Sequence, residues 1–238
     1  MVGKVFLSVV LVSVVVLFGC NSQMESDSVD LLSSFDFESG IQDWQGGISD
    51  YPLDSAENLV YLLDYDRVPS SSVLDGNGLN ISADNPNGDL FYYFTRKVDG
   101  LMPNIVYKLD FEFLVYTQLL TLSKNLSNED IYLKIGAVNF EPQLKQLTWR
   151  DNTQYVSLNV DKGDTNSEGG EDLVNIGSIK RFTSEQAEVI SGNTYDFEIF
   201  AKSDINGSLW LMIGVDSGIK SELTFGMAAL TVFYTKQN

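Results

Sequence analysis

The chain has 238 residues, of which 33 are acidic and 15 basic, so its formal net charge at pH 7 is -18. It contains no histidine and a single cysteine, which excludes Ser-His-Asp and Cys-His nucleophilic catalysis and zinc sites built from Cys and His. Such an acidic chain repels nucleic-acid phosphates and anionic lipid surfaces, so nucleic acid is not an expected partner. The chemistries left are a pair of catalytic carboxylates, a carboxylate calcium site and an aromatic sugar-binding surface.

The first twenty residues have the pattern of an export signal. Lys4 precedes an apolar run from Val5 to Phe18, and Gly19-Cys20 follows. A membrane-spanning helix needs about 20 apolar residues, whereas a signal-peptide core has about 7 to 15. A small residue directly before a lone cysteine resembles the bacterial lipoprotein signal, which implies that residues 1–19 are removed and that Cys20 is acylated. The alternative is an ordinary secretory signal followed by a free thiol.

The polar, acidic segment that follows is expected to be a flexible tether, residues 20–31, between the lipid and a folded domain. Residues 32–238 are expected to form one domain, because no Pro/Gly/Ser-rich linker divides them. Asn21 after the cysteine resembles the pattern of lipoproteins sent to the outer membrane. We therefore expect the protein in the bacterial cell envelope, attached through acyl chains, and in the outer membrane where the host has one.

Period-two alternation recurs through this domain and predicts strands with one buried and one wet face. It is clearest in residues 107–113, where apolar and charged side chains alternate. Two alternating runs flank Asn206-Gly207, the signature of a type I′ hairpin, which predicts that residues 194–203 pair antiparallel with residues 208–215. Further strands are predicted near residues 33–38, 59–65, 79–83, 90–97, 131–139, 154–160 and 228–234.

About ten short strands predict an all-β fold, an antiparallel β-sandwich of the jelly-roll type. The only helical signal is Thr183-Ser-Glu-Gln186, whose capping-box spacing predicts at most one short helix. Phe35-Asp-Phe37-Glu-Ser-Gly40 with Trp44 soon after resembles the opening of bacterial carbohydrate-binding-module-like, or galactose-binding-like, jelly rolls. In those proteins the tryptophan is more often a core residue than a sugar platform.

Four further phrases resemble, in the same order, a family of uncharacterised bacterial exported proteins. They are Tyr132-Leu-Lys-Ile-Gly-Ala137 with Glu141-Pro142, Asn159-Val-Asp-Lys-Gly-Asp164, Gly169-Gly-Glu-Asp172 and Leu209-Trp-Leu-Met-Ile-Gly-Val-Asp-Ser-Gly218. The resemblance covers most of the chain after residue 35. It implies an exported lipoprotein but brings no known activity with it.

Polar side chains within these phrases are the candidate ligand-binding residues. If Lys134, Glu141, Asp161 and Asp216 converge, they form a mixed-charge pocket able to hydrogen-bond hydroxyl groups. Sugar recognition combines such groups with a ring on which an apolar sugar face can stack. The candidate rings, at loop positions or on the wet faces of strands, are Trp149, Tyr92, Tyr132 and Trp210.

A second candidate site is the acidic loop between residues 159 and 172. Its oxygen-bearing side chains are of the kind that calcium prefers, although their spacing does not match an EF-hand loop. Lys162 within the loop could neutralise this charge instead. The candidate metal ligands are Asn159, Asp161, Asp164, Glu171 and Asp172.

These observations favour a lipid-anchored envelope protein with a non-catalytic β-sandwich that recognises a carbohydrate or another envelope ligand, with calcium as the one cofactor to consider. The first alternative is a glycan-active enzyme, which requires two carboxyl groups in a cleft, one with a raised pKa. The second is a lipoprotein that docks another envelope protein through an exposed apolar patch.

Overall fold

The chain folds into short antiparallel strands. The computed structural model describes residues 31–69, 76–119, 131–148, 152–179 and 187–238. Besides one 3-10 turn, Leu53–Ser55, these residues form β1 (Leu31–Phe35), β2 (Gln45–Ser49), β3 (Tyr51–Pro52), β4 (Tyr61–Arg67), β5 (Asn77–Asp84), β6 (Leu90–Val98), β7 (Val106–Leu119), β8 (Ile131–Val138), β9 (Leu144–Thr148), β10 (Gln154–Leu158), β11 (Leu173–Ser178), β12 (Glu188–Asn193), β13 (Phe200–Lys202), β14 (Leu209–Ser217) and β15 (Glu222–Lys236).

Several sequence predictions fall outside the described residues. They concern the signal segment and tether, Cys20, Trp149 and the capped turn at Thr183. They stay predictions. Within the part of the chain that is described, no helix is long and apolar enough to cross a membrane.

The strands form three sheets. The first sheet has the order β12-β7-β15-β5-β4, with β1 added to β15 and β13 added to β7. The second sheet has the order β11-β8-β14-β6-β2, and the small third sheet has the order β3-β10-β9. The predicted fold class is confirmed: the protein is an antiparallel β-sandwich of the jelly-roll type.

The main core lies between the first and second sheets. Alternation in β7 turns Leu109, Phe111 and Val115 inward, where each has no exposed surface. Ile135 of β8 and Leu211 of β14 meet them from the second sheet and are equally buried. Burying each such side chain stabilises the fold by about 1.5 to 3 kcal/mol, so this one layer holds the two sheets together.

The hairpin predicted at Asn206-Gly207 is wrong. A turn does form there, because the Asp204 carboxylate accepts hydrogen bonds from the backbone N–H groups of Asn206 and Ser208 at 2.8 and 2.7 Å. The strands on either side, however, belong to different sheets: β13 pairs with β7, whereas β14 pairs with β6 and β8. The turn therefore carries the chain from one sheet across to the other.

The long strand predicted over residues 194–203 is also shorter than expected. Only Phe200–Lys202 forms a strand, because a turn in which the Phe197 N–H bonds the Thr194 carbonyl lifts the chain away from β7. Ile199 still points into the core, and its carbonyl oxygen accepts a hydrogen bond of 2.8 Å from the Leu109 N–H of β7. The alternating pattern therefore continues across a turn that interrupts the strand.

The outer face of the second sheet is covered rather than wet. Phe91, Met212 and Leu173 on that face pack against Leu158 and Val160, which come from β10 and the segment after it. The third sheet and the loop that connects it to β11 thus form an additional layer. Polar residues at outward positions of β8 and β14 consequently become buried.

A glycine lets this layer approach the sheet. A Cβ on Gly136 of β8 would overlap the carbonyl oxygen of Asp172, whereas one on Gly214 of β14 would lie 2.5 Å from the ring of Phe91 in the neighbouring strand β6. Real Cβ atoms are not found at such distances, so the covering loop can lie this close only where the side chain is absent.

Replacing Gly136 with alanine tests this close approach. We expect Gly136→Ala to lower the free energy of unfolding by about 3 kcal/mol, because a backbone carbonyl must move to make room. Gly46→Ala is the comparison: its new methyl group meets Leu63 Cδ1 at 2.8 Å, and that half-exposed side chain can turn away. Chemical denaturation measures both. Equal losses would contradict the packing described for the loop.

Candidate ligand-binding site

A buried ion pair lies between the second sheet and the layer that covers it. The Lys134 Nζ atom is 2.9 Å from Asp216 Oδ2, and the two side chains are 0% and 1% exposed. They come from adjacent antiparallel strands, in which Lys134 lies opposite Gly214 and Asp216 opposite Tyr132. Two charges buried to this extent are stable only when every proton and lone pair finds a partner.

Lys134 finds its remaining partners in the covering loop. Its ammonium group donates to the carbonyl oxygens of Lys162 at 2.8 Å and Thr165 at 3.2 Å. Burial lowers the pKa of Lys134, against the raising effect of the Asp216 charge. With three acceptors around its nitrogen, this lysine ties the loop to the sheet.

Lys162 extends the pair into a network. Its Nζ atom is 2.9 Å from Asp216 Oδ2 and 2.8 Å from Asp50 Oδ2. Burial alone would lower the pKa of Lys162, but the charges of Asp50 and Asp216 outweigh it and raise this pKa. Ser157 donates a hydrogen bond of 2.6 Å to the other oxygen of Asp50, which fixes that carboxylate against β10.

A third carboxylate, Asp89, stands beside this network. It lies just before β6, where its backbone N–H bonds the Asn85 side chain. Burial, followed by the negative charges of Asp50 and Asp216, raises the pKa of Asp89 to about 6, although both lysines act against this. The two buried lysines therefore do not compensate all three carboxylates.

Asp50, Asp89 and Lys162 border a cavity of about 190 Å³. One wall is the third sheet, where Leu147 lies opposite Tyr155 and Lys145 opposite Ser157, so an apolar pair adjoins a polar pair. Other polar groups come from the β2–β3 junction, the turn before β6 and the loop after β10. The lining residues are Asp50, Asp89, Lys145, Leu147, Tyr155, Ser157, Leu158, Val160, Asp161, Lys162, Gly163 and Asp164.

The structure brings some of the predicted ligand residues together. Lys134 and Asp216 touch, and Asp161 lines the cavity. Tyr132 lies half-buried two residues before Lys134, on the same face of β8. Glu141 is exposed between β8 and β9, outside the lining, and its carbonyl accepts a hydrogen bond from Asn159.

The oxygens predicted to bind calcium form hydrogen bonds within the loop. The two carboxylate oxygens of Asp161 accept the N–H groups of Gly163 and Glu171, which lowers the pKa of Asp161. Asp172 accepts the N–H of Asp161. Across the described residues, no three acidic side chains are grouped so as to hold a metal ion.

The other two candidate metal ligands are placed differently. The Asn159 side chain accepts a hydrogen bond from the Gln143 N–H at 2.7 Å, which joins the loop to the start of β9. Asp164 is exposed and lines the cavity. Calcium binding by this loop stays a prediction.

Two carboxylates of the site, Asp50 and Asp89, were not among the predicted site residues. Asp50 has a left-handed backbone, with φ of 67°, between β2 and β3. Asp89 ends the turn Asn85-Pro-Asn-Gly-Asp89, in which the Asn85 carbonyl group of the side chain accepts two backbone N–H bonds. Both occur in turn sequences where aspartate is common for local reasons, so no pattern distinguished them.

No family model and no curated protein matches the sequence. Among solved structures, the chain is similar to a mannan-recognising carbohydrate-binding module, TmCBM27 (12% identity, 87% of this chain, 98% of that one, TM-score 0.40). It is also similar to a xylan-binding domain from Paenibacillus barcinonensis (12% identity, 87% of this chain, 95% of that one, TM-score 0.36). A third is the enzymatically active domain of a tailspike protein from bacteriophage CBA120 (10% identity, TM-score 0.33); the match covers 85% of this chain but only 20% of that one. These similarities are distant, so the function is argued below from this chain's own residues.

A double-mutant cycle tests the buried network. We expect Lys134→Met to lower the free energy of unfolding by about 3 kcal/mol, because Asp216 and two loop carbonyls lose a buried donor. Adding Asp216→Asn removes a buried charge that Lys162 alone would still offset, so the double variant should lose about 1 to 3 kcal/mol less than the sum of the single variants.

The exposed pair of Lys97 and Asp99, 3.3 Å apart, is the control. Lys97→Met should change the free energy of unfolding by less than about 1 kcal/mol, because both groups are solvated. Denaturant titrations of all variants give the values. Additive effects at Lys134 and Asp216, or a loss at Lys134 as small as at Lys97, would contradict the network.

Proposed function

We propose that the protein is a lipid-anchored component of the bacterial envelope whose β-sandwich binds a glycan, without changing it chemically, in the cavity beside the third sheet. The observation that carries this proposal is the lining of that cavity. Tyr155 and Leu147 form an apolar pair, and Ser157 and Lys145 lie beside them on the same face of the sheet.

A sugar ring matches such a surface. It has an apolar face, which packs on an aromatic or aliphatic side chain, and hydroxyl groups, which need directed hydrogen bonds. If the sugar ring stacks on Tyr155, the hydroxyl groups of the sugar would face Asp50, Asp89 and Lys145. The cavity of about 190 Å³ is smaller than the roughly 300 to 1,000 Å³ of drug-sized ligand pockets, which favours one sugar residue or a chain end.

The network also supports binding because it holds the polar groups in place beforehand. Asp50 is fixed by Ser157 and Lys162, and Lys162 is fixed in turn by Asp216. A site whose side chains are already ordered loses little conformational freedom when a ligand enters.

One observation favours an enzyme as the second candidate. Asp89, with its pKa raised to about 6, lines the same cavity as Asp50, and a glycoside hydrolase requires two carboxyl groups in a cleft, one of them with a raised pKa. New reducing ends on a bound glycan would identify an enzyme. An intact glycan recovered after incubation supports a binding module.

The protein-docking alternative has a surface of its own. Val60 and Leu62, at the start of β4, are 78% and 62% exposed, and within the described residues β4 pairs only with β5. Apolar side chains on a sheet edge are a place for another protein to attach. Neither residue lines the cavity, so this surface can be changed by mutation without changing the cavity lining.

A glycan array with the full chain in a non-ionic detergent tests the proposal, run with calcium and with a chelator. We expect saturable binding that falls at least about tenfold in Tyr155→Ala, because the ring supplies the apolar contact. The control is Tyr195→Ala, which removes a half-exposed ring bonded to Glu112 outside the cavity. A blank array, or equal effects of both substitutions, would overturn the proposal.

Lipid attachment is tested separately. We expect the chain, expressed in a bacterial host, to incorporate labelled palmitate and to sediment with membranes, whereas Cys20→Ser should do neither, since the thiol is the acceptor of the acyl chain. The strongly acidic charge offers no electrostatic route to an anionic membrane. Label that persists in the serine variant would contradict acylation at Cys20.

A further inference from the structure

We infer that the cavity selects a ligand that carries a protonated amine, such as an amino sugar residue, with the Asp89 carboxylate as its counter-ion. This inference rests on the proposed function and names the chemical class of the sugar. It comes from three observations: the charges already paired within the site, the position of Asp89, and the groups that surround it.

Neither buried lysine is paired with Asp89. Lys134 directs its three ammonium protons to Asp216 and to two loop carbonyls. Lys162 lies between Asp216 and Asp50 at 2.9 and 2.8 Å. The ion pairs of both cations are thus with the other two carboxylates of the network.

Asp89 lines the cavity, and among the described residues no hydrogen-bond donor or cation reaches its carboxylate oxygens. Of the charged side chains that line the cavity, Asp50, Asp89, Asp161 and Asp164 are acidic, whereas Lys145 and Lys162 are basic. A region with acceptors in excess of donors favours a ligand that brings donors and positive charge.

The groups that face Asp89 come from several elements. Asp50 from the β2–β3 junction and Asp216 from β14 disfavour its charged form, while Lys162 and Lys134 favour it. The loop adds Asp161, whose oxygens are already occupied by two backbone N–H groups. Lys145 and Asp164, both exposed, add one positive and one negative charge to the lining.

An ammonium group in the cavity would therefore gain the attraction between opposite charges in addition to a hydrogen bond to Asp89, whereas a neutral hydroxyl group gains only the hydrogen bond and an anionic sugar would meet repulsion. Asp89 must be ionised for this gain. Because its pKa is raised to about 6, the preference should be present near neutral pH and should fall as the pH drops below 6 and the carboxylate takes up a proton.

Three oligosaccharides that share a β-1,4-linked backbone test the inference: tetramers of glucosamine, of N-acetylglucosamine and of glucose. Calorimetric titration of the full chain should give the glucosamine tetramer about tenfold tighter binding than the glucose tetramer at pH about 7, and nearly equal binding at pH about 5. The acetylated tetramer should behave as the neutral sugar at both pH values.

Asp89→Asn should abolish the preference for the amine and its pH dependence, so that the glucosamine and glucose tetramers bind this variant with equal affinity at both pH values. The matched control is Asp84→Asn, an exposed aspartate of β5 outside the cavity lining, which should keep the wild-type preference. Thermal unfolding followed by circular dichroism verifies that each variant is folded.

The outcomes separate the two proposals. Equal affinity for the amine and the neutral sugar near pH 7, with Asp89→Asn unchanged, would overturn the amine inference and leave glycan binding intact. Binding of none of the three tetramers, together with a blank array, would overturn both.

Discussion

The buried pair of Lys134 and Asp216 is the constraint on which the rest of the site depends. Removing two charges from water costs several kcal/mol for each ion, so the pair is not a source of stability in its own right. Its cost is offset only because the loop after β10 supplies carbonyl oxygens to Lys134 and a second cation, Lys162, to Asp216. Once these bonds are required, the loop has a single position over the second sheet. The pair thus converts an outer sheet face into the base of a third layer.

That third layer is what creates a cavity in an otherwise ordinary sandwich. The two large sheets bury their inner faces against each other, as apolar alternation demands. The third sheet packs on the outer face through Leu158 and Val160, and Gly136 allows the connecting loop to lie close to that face. Its opposite face, with Tyr155 and Ser157, borders the cavity. Period-two alternation in β10 thus turns Leu158 toward the second sheet and Tyr155 and Ser157 to the other face.

The sequence was a good guide to the sandwich and a partial guide to the site. Alternation in residues 107–113 locates β7, since a half-buried strand must alternate, but β2 with its two glycines shows no such pattern. The turn at Asn206-Gly207 could be predicted, because it depends on neighbouring residues alone. Which sheet each flanking strand joins could not be predicted, because this depends on long-range packing. Lys134 and Asp216 were two of the four residues predicted to converge. Their burial was not predicted, because it results from a covering layer that no local sequence pattern indicates. Asp50 and Asp89 were not predicted as site residues, because only the folded chain brings them close to the two lysines.

The most direct test of this account is the titration of Asp89 itself. Carbon-13 NMR of the aspartate carboxyl groups, assigned with the Asp89→Asn variant, reports the protonation of each side chain as the pH is varied. The account predicts that the Asp89 signal titrates with a midpoint at about 6, because its surroundings are buried and the two lysines are held by Asp50 and Asp216. A midpoint near the ordinary aspartate value of about 3.9 would contradict it, since Asp89 would then be solvated or already paired, and the cavity would hold no unmatched negative charge.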